Sequence, residues 1–256
     1  MRLALIADIH SNTHALEACL KHAQDQGVNK LAFLGDLVGY GADPAGVVDR
    51  IMSLVSNRVD GAKGAWMVKG NHDAMAVRPP SSIQDTGSSS AAWTHERLRP
   101  EHLEFLDQAP LTVKHGCLLF THASARHPDK WDYVDSEVKA QLCLDAALAS
   151  YQASQVFVGH VHHQHLYYTG ANGNLMRFTP TPGVALPAPA RRTMVVTIGS
   201  VGQPRDKDTR SMYALYDTTA QKLCFYRVLY DHQAAAQAVR QAGLPEHLAN
   251  RLETGT

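Results

Sequence analysis

The sequence predicts an α/β (α+β) fold, a four-layer α-β-β-α sandwich in which two stacked mixed sheets are flanked by helices, and three observations predict it. The first seventy or so of its 256 residues alternate apolar strand patterns with amphipathic helix patterns, an order that implies parallel strands. The last hundred or so are mostly strand-like, with turn signals between short runs. No internal repeat, low-complexity tract or linker separates these parts, so residues 1–256 read as a single domain.

An apolar strand at residues 3–7 opens the alternation, followed by a helix pattern at 14–26 and a second strand at 31–34. The helix pattern at 44–55 begins on Pro44, whose fixed φ suits a first turn, and a third strand follows at 65–69. Pro79-Pro80 and Gly87-Ser88-Ser89-Ser90 mark a surface loop, with helix patterns after it at 91–98 and 101–106. Residues 111–114 and 118–121 flank His115-Gly116, which reads as a hairpin turn. A polar loop follows His122, then a helix at 136–151 capped by Ser136. The helical inserts at about 77–110 and 124–150 are therefore expected to overhang the site as a lid. Strand patterns recur at 156–158, 166–169, 175–178, 194–198, 213–216 and 223–228, with turns at Asn172-Gly173 and at 218–221. Four prolines between Pro180 and Pro189 predict a long irregular loop, and a helix pattern at 233–241 packs outside.

Composition narrows the class. Hydrophobic residues make up 45%, ordinary for a globular protein, and 24 Lys plus Arg balance 24 Asp plus Glu. No segment is strongly basic, so there is no evident nucleic-acid surface and no attraction to an anionic membrane. The apolar stretch before Asp8 is too short for a signal-peptide core, and no run approaches the ~18 residues of a membrane span, which makes cytoplasmic localisation the expectation. The four cysteines are far apart and form no Cys-x-x-Cys, so they are expected as buried free thiols.

The 15 histidines cluster at strand ends, and that skew points to metal chemistry. Five short motifs occur in order: Asp8-Ile9-His10, Gly35-Asp36, Gly70-Asn71-His72-Asp73, Thr121-His122 and Gly159-His160-Val161-His162. Each lies at or just after the end of an apolar run, and the carboxyl ends of strands are where α/β proteins assemble sites. If strand geometry persists past residue 7, Asp8 and His10 point to one side and can hold one cation; His160 and His162 repeat that spacing. Asp36 follows the next strand, where a carboxylate can bridge two cations ~4 Å apart. Asn71 offers a neutral carbonyl oxygen, and His72 beside it must point elsewhere, free for catalysis. Taken singly, each motif also has an ordinary reading: a capping Asp, a polar turn, solvated or structural histidines. Together, two carboxylates, one amide and four imidazoles form a mixed N/O set suited to Mn, Fe or Zn, whereas calcium prefers oxygen alone and a structural zinc site would use thiolates.

These motifs resemble the calcineurin-like metallophosphoesterase superfamily, whose pattern is Asp-x-His, Gly-Asp, Gly-Asn-His, a later His and Gly-His-x-His. Gly-Asp-Leu-Val-Gly-Tyr-Gly at 35–41 and Gly-Ser-Val-Gly-Gln-Pro-Arg-Asp at 199–206 are similar to a prokaryotic branch of small phosphodiesterase-like enzymes. The resemblance implies two divalent or trivalent transition metal ions, manganese in vitro with iron or zinc as alternatives. Asp8, His10, Asp36 and His162 would hold one ion, and Asp36, Asn71, His122 and His160 the other. It implies His72 as general acid, Asp73 as the neighbour that orients or polarises it, and Asn12 as a contact to substrate phosphate. Arg205 is a candidate clamp on a phosphate oxygen, with a structural ion pair to Asp206 or another acid equally open. Tyr40 reads as a packed aromatic beside the site. Two positions depart from the branch, Ala123 and Gln164, where Gly and Pro are usual; the stretch 165–192 is also longer.

The expected activity is hydrolysis of small nucleotide-like phosphodiesters. Dinucleoside polyphosphate hydrolysis and protein or small-molecule phosphomonoester hydrolysis use the same core and stand as alternatives. A non-catalytic scaffold is the distant alternative, disfavoured because all seven ligand residues and His72 are present; a metal store or sensor would not need a free histidine beside a ligand. The expected partner is a small phosphorylated substrate, and the lid helices or the last helix could also form a homo-oligomer.

Overall fold

The computed structural model describes residues 1–56, 58–59, 62–82, 85–170 and 173–256, with backbone alone for 58–59 and 62–63. In chain order its elements are β1 (Arg2–Ile6), α1 (Thr13–Asp25), β2 (Lys30–Leu34), α2 (Pro44–Ser56), β3 (Arg58–Val59), β4 (Ala62–Lys63), β5 (Ala65–Val68), α3 (Asn71–Val77), α4 (Thr86–His95) and α5 (Pro100–Gln108). Then follow β6 (Thr112–His115), β7 (Leu118–Thr121), α6 (Glu137–Tyr151), β8 (Gln155–Val158), β9 (Gln164–Thr169), β10 (Leu175–Phe178), β11 (Ala185–Pro187), β12 (Met194–Ile198), β13 (Ser211–Asp217), β14 (Lys222–Val228), α7 (His232–Gln241) and α8 (Glu246–Thr254).

Two six-stranded mixed sheets form the body, ordered β11-β14-β13-β1-β2-β5 and β10-β9-β12-β8-β7-β6. Each contains a parallel triplet, β1-β2-β5 in the first and β7-β8-β12 in the second, extended by antiparallel strands. The period-2 alternation of these strands sorts their side chains into layers. Leu3, Leu5 and Leu34 meet Phe120, Phe157 and Val196 between the sheets, while Ala4, Ile6 and Phe33 face α1 and α2. Leu119, Val156 and Val195 turn outward onto α6. Phe157 stacks at 5.7 Å from Phe120 and 5.6 Å from Tyr216 in the middle of the sandwich; burying one such side chain contributes ~1.5–3 kcal/mol. Gln164 ties the layers with a polar link: its amide donates to the carbonyls of Ile198, Tyr213 and Tyr226 across both sheets.

Four expectations need correction. Gly87-Ser88-Ser89-Ser90 lies in α4, not in a loop: Asp85 accepts from the Ser88 N–H while the Ser88 hydroxyl accepts from the Asp85 N–H, a reciprocal cap that starts the helix. The proline cluster contains β11, which pairs with β14; Pro187 is tolerated because β11 is an edge strand. Helix α6 is no lid, because Ala140, Cys143, Leu144 and Ala147 bind it to the outer face of the second sheet. A further helix, α8, follows α7 and buries Leu248, Ala249 and Leu252 against it. Of the expected turn at Asn172-Gly173, Asn172 lies outside the described residues. Among the described residues the cysteines are free thiols, and no helix is long and apolar enough to cross a membrane.

Candidate metal centre

The loops after β1, β2, β5, β7 and β8 converge at one edge of the sandwich. Strand β1 ends at Ile6, so the expected strand alternation does not place Asp8 and His10. They are aimed instead by left-handed backbone, φ 54° and 49°, and Asp36 (51°), His160 (66°) and His162 (60°) share that conformation. A non-glycine residue there costs on the order of 1 kcal/mol, and five such residues at one place mark a constrained site. Main-chain bonds hold them: Asp8 N–H donates to the Gly35 carbonyl, His10 N–H to the Asp36 carbonyl, and Gly202 N–H to the Asp8 carbonyl. Gly70 lets two of the loops touch, since a Cβ there would lie 2.2 Å from the Asp36 nitrogen.

Two groups of donor atoms result, Asp8 with His10 and His162, and Asp36 with His122 and His160, the atoms of each within 4.8 Å of one another. Asn71 Oδ1 joins the second, 3.1 Å from His122 Nε2. Asp36 Oδ2 stands between the groups, 3.3 Å from His122 Nε2 and 3.8 Å from His10 Nε2. Asp8 Oδ1 lies 3.3 Å from His162 Nε2, and the Asp8 carboxylate is steadied by the His160 N–H.

The imidazole tautomers test whether cations fit. Three rings face a main-chain carbonyl through Nδ1: His10 donates to Val38, His122 to Leu34 and His162 to Gln203. A carbonyl can only accept, so Nδ1 carries the proton and Nε2 of the neutral ring is a bare lone pair. Yet His10 Nε2 and His162 Nε2 face each other at 3.2 Å, as do His122 Nε2 and His160 Nδ1. In the first pair both nitrogens carry lone pairs, which repel unless a positive charge lies between them, and 3.2 Å suits two nitrogens each ~2.1 Å from a shared cation. The residues therefore fit two mixed N/O metal sites, with main-chain carbonyls as the groups that orient the ligands.

Protonation follows from the same crowding. Burial lowers His122, but the Asp36 charge overrules it and holds the imidazole up to about 9, so without a cation a proton takes its place. Burial, reinforced by His122, pushes His160 down to about 4, and burial likewise drives His10 well below its ordinary range. Burial raises the Asp36 carboxyl, yet the facing His122 and His72 hold it well below the usual carboxylate range.

His72 is not a member of either group. It is the second residue of α3, its N–H donating to Asp36 Oδ1 (2.8 Å), and its ring packs on Tyr40 (4.3 Å) and edge-on to His10 (5.1 Å). Among the described residues its Nδ1 has no hydrogen-bond partner; it is buried against Gly39, where φ is +91° and a Cβ would come within 2.7 Å of that nitrogen. Burial lowers the ring's pKa. Asp73, the residue expected to orient or polarise it, follows it in α3. Its carboxylate accepts the N–H groups of Leu37, Val38 and Gly70, clamping the Asp36 loop to the start of α3; burial and the Asp36 charge push it up to about 7.

Asn12 is the residue expected to touch substrate phosphate. It caps α1, Oδ1 accepting from the Ala15 N–H while the amide donates to the Gly202 carbonyl and Tyr230 hydroxyl, so both ends are engaged inside the protein. Arg205 does face the site. Asp206 pairs with Arg227, and Arg205 is braced by Gln203 Oε1 and lies over the Tyr40 ring at 5.9 Å. Arg205 and Tyr40 line a cleft of about 430 Å³ with Asn71, His72, His160 and His162. Among the described residues of the two inserts, short stretches reach it: Asp85, Thr86 and Gly87 at the start of α4, and Tyr133, whose ring stacks on His160 at 4.0 Å. Arg251 of α8 completes the wall and was missed because nothing in its local pattern marks it.

Comparison with known proteins agrees with this geometry. Residues 1–221 match the family model described as the calcineurin-like phosphoesterase superfamily domain. An uncharacterized protein of Methanocaldococcus jannaschii is 31% identical over 259 residues, covering 99% of this chain and 98% of that protein. A metallophosphoesterase from Sphaerobacter thermophilus is similar in structure, with a TM-score of 0.84, 33% identity, and coverage of 100% of this chain and 99% of that one. A hypothetical protein from Pyrococcus horikoshii OT3 shares the fold at a TM-score of 0.77 and 19% identity, covering 100% and 98%.

Proposed function

Because the chain belongs to the calcineurin-like phosphoesterase superfamily, we propose that it is a dinuclear-metal phosphoesterase that hydrolyses small nucleotide-like phosphodiesters. The observation that carries this reading is the pair of facing donor groups that share the Asp36 carboxylate. Asp8, His10, Asp36 and His162 would hold one ion, and Asp36, Asn71, His122 and His160 the other. Transition metal ions bound there, manganese among them, supply a water activated near neutral pH and neutralise charge on phosphoryl oxygens.

His72 supplies the proton. With Nδ1 buried against Gly39, Nε2 is the atom left to serve a departing oxygen, and its ring borders the cleft beside Asn71. Donation to a leaving alkoxide contributes typically 10²–10⁴-fold. Asp36 positions this ring as well as the ligands, through Oδ1 on the His72 N–H. Asp73 keeps the two loops in register, and Arg205 offers a guanidinium to phosphoryl oxygens. A cleft of about 430 Å³ is the size of a small-molecule site, which supports a nucleotide-like substrate over a polymer.

The test is a panel with manganese-reconstituted protein: a bis-aryl phosphate, a 2′,3′-cyclic nucleotide, a dinucleoside tetraphosphate and a phosphoserine peptide. The expected result is turnover of the diesters above the peptide. Metal-loaded protein inert towards all four would overturn the reading.

A further inference from the structure

We propose that Arg251 and Arg205 together form a second anion subsite, on the leaving-group side of the cleft, that selects substrates carrying another phosphate beyond the scissile one. The proposal rests on the phosphoesterase reading and deepens it. Both side chains line the cleft that holds His72, Asn71, His160 and His162, yet they come from the loop after β12 and from α8. Neither pairs with a carboxylate among the described residues. The acids nearby are taken by other arginines: Asp206 by Arg227, Asp208 by Arg210, and Glu246 and Glu253 by Arg240.

Two partly buried guanidiniums facing one small cleft repel each other, and an anion between them relieves that repulsion. The burial of Arg251, with Arg205 as the next contributor, holds its pKa below the ordinary arginine range. The arrangement is built. Arg205 is braced through Nη2 and Nε on Gln203 Oε1, and the main chain of that glutamine orients the His162 ring. The end of α8 is pinned to the same loop, since Lys207 N–H donates to the Gly255 carbonyl (2.7 Å).

The side of the cleft follows from packing. Arg205 lies over Tyr40, and Tyr40 packs on His72, so the guanidinium sits beyond the residue that serves the leaving group. Asp85 is the carboxylate on the α4 wall, and its Oδ1 accepts the N–H and hydroxyl of Ser88; the α8 side, with its two guanidiniums, is the favourable place for added negative charge. The implied substrate has a phosphorylated leaving group, as in a dinucleoside polyphosphate or a nucleoside diphosphate ester.

Arg251→Met tests this, with two readouts. In manganese-loaded enzyme, kcat/KM is compared for diadenosine tetraphosphate and for bis-p-nitrophenyl phosphate, which carries a single phosphate. The variant should lower the ratio of the first to the second at least tenfold, through KM more than kcat. An equal loss on both substrates, or a wild type that turns over only the aryl diester, overturns the subsite. The second readout needs no catalysis: inorganic pyrophosphate titrated calorimetrically into EDTA-stripped protein should bind wild type at least tenfold more tightly than Arg251→Met. Equal binding overturns the proposal. Arg251-dependent binding in a protein inert towards every phosphoester would instead uphold the anion site and sink the phosphoesterase reading.

Discussion

A proton stands where the proposed second cation would bind, and its displacement can be measured. In the metal-free protein the Asp36 charge, working against burial, holds His122 up to about 9. A ligand imidazole must be neutral at Nε2, so an ion entering between Asp36, His122 and His160 has to expel that proton. The sign is fixed. His122 is protonated below about 9 and competes with metal there, so affinity rises with pH up to that value and then levels off. At pH 7 the group lies about two units below its midpoint, which weakens binding roughly 100-fold, or about 2.7 kcal/mol. His160, already pushed down to about 4, adds nothing in this range. Calorimetry on EDTA-stripped protein at pH 7.5 and 8.5, in buffers of different ionisation enthalpy, should find close to one proton released for this site and about tenfold tighter binding at the higher pH. The reasoning fails if affinity is flat across that interval, or if NMR titration of the stripped protein places the His122 midpoint below 7.

Three further outcomes are expected. His72→Asn should lower kcat 10²–10⁴-fold on alkyl diesters and less on aryl esters with good leaving groups, while metal content by elemental analysis stays within a tenth of wild type; loss of metal with activity would remove His72 from its role as acid. Asp73→Ala strands three buried N–H groups, of Leu37, Val38 and Gly70, and should cost about 3–5 kcal/mol in urea unfolding; a change under 1 kcal/mol would show that the loops hold without it. Gln164→Leu removes the amide that links both sheets and should destabilise by about 2–4 kcal/mol, again read by urea midpoint, with an unchanged midpoint as the contrary result.

The parts of the fold legible in the sequence are those where one period governs a whole element. Residues 1–70 were readable because β1, α1, β2, α2 and β5 each keep a single hydrophobic repeat, and the capping of α6 by Ser136 was visible for the same local reason. Helix α4 was hidden because its glycine and serines oppose helix propensity, and it is held by the Asp85–Ser88 cap and by burial of Ser88 and Ser90. Strand β11 was hidden because it pairs with β14, some forty residues later. At the site, the residues that could hold metal were legible as types and as an order. Their aim was not, because it comes from left-handed backbone instead of strand alternation. Asn12 and Asp73 were recognised as polar residues in the right motifs, yet each also bonds a main-chain group of a distant loop, Gly202 and Leu37 respectively, which a motif cannot display. Arg251 belongs to the site only through the docking of α8.

The Nδ1 partners that orient His10, His122 and His162 are the carbonyls of Val38, Leu34 and Gln203, which are main-chain groups. Alanine scanning around the centre is blind to these contacts, since every residue presents the same carbonyl. The loops can therefore drift in sequence without disturbing the rings, provided the chain keeps its path. Damage to metal binding from a distance should come instead from changes that alter that path, such as proline or a β-branched residue introduced beside Leu34, Val38 or Gln203. A survey of variants in this protein would find its sensitive outer positions by backbone tolerance, and polar character would be a poor guide to them.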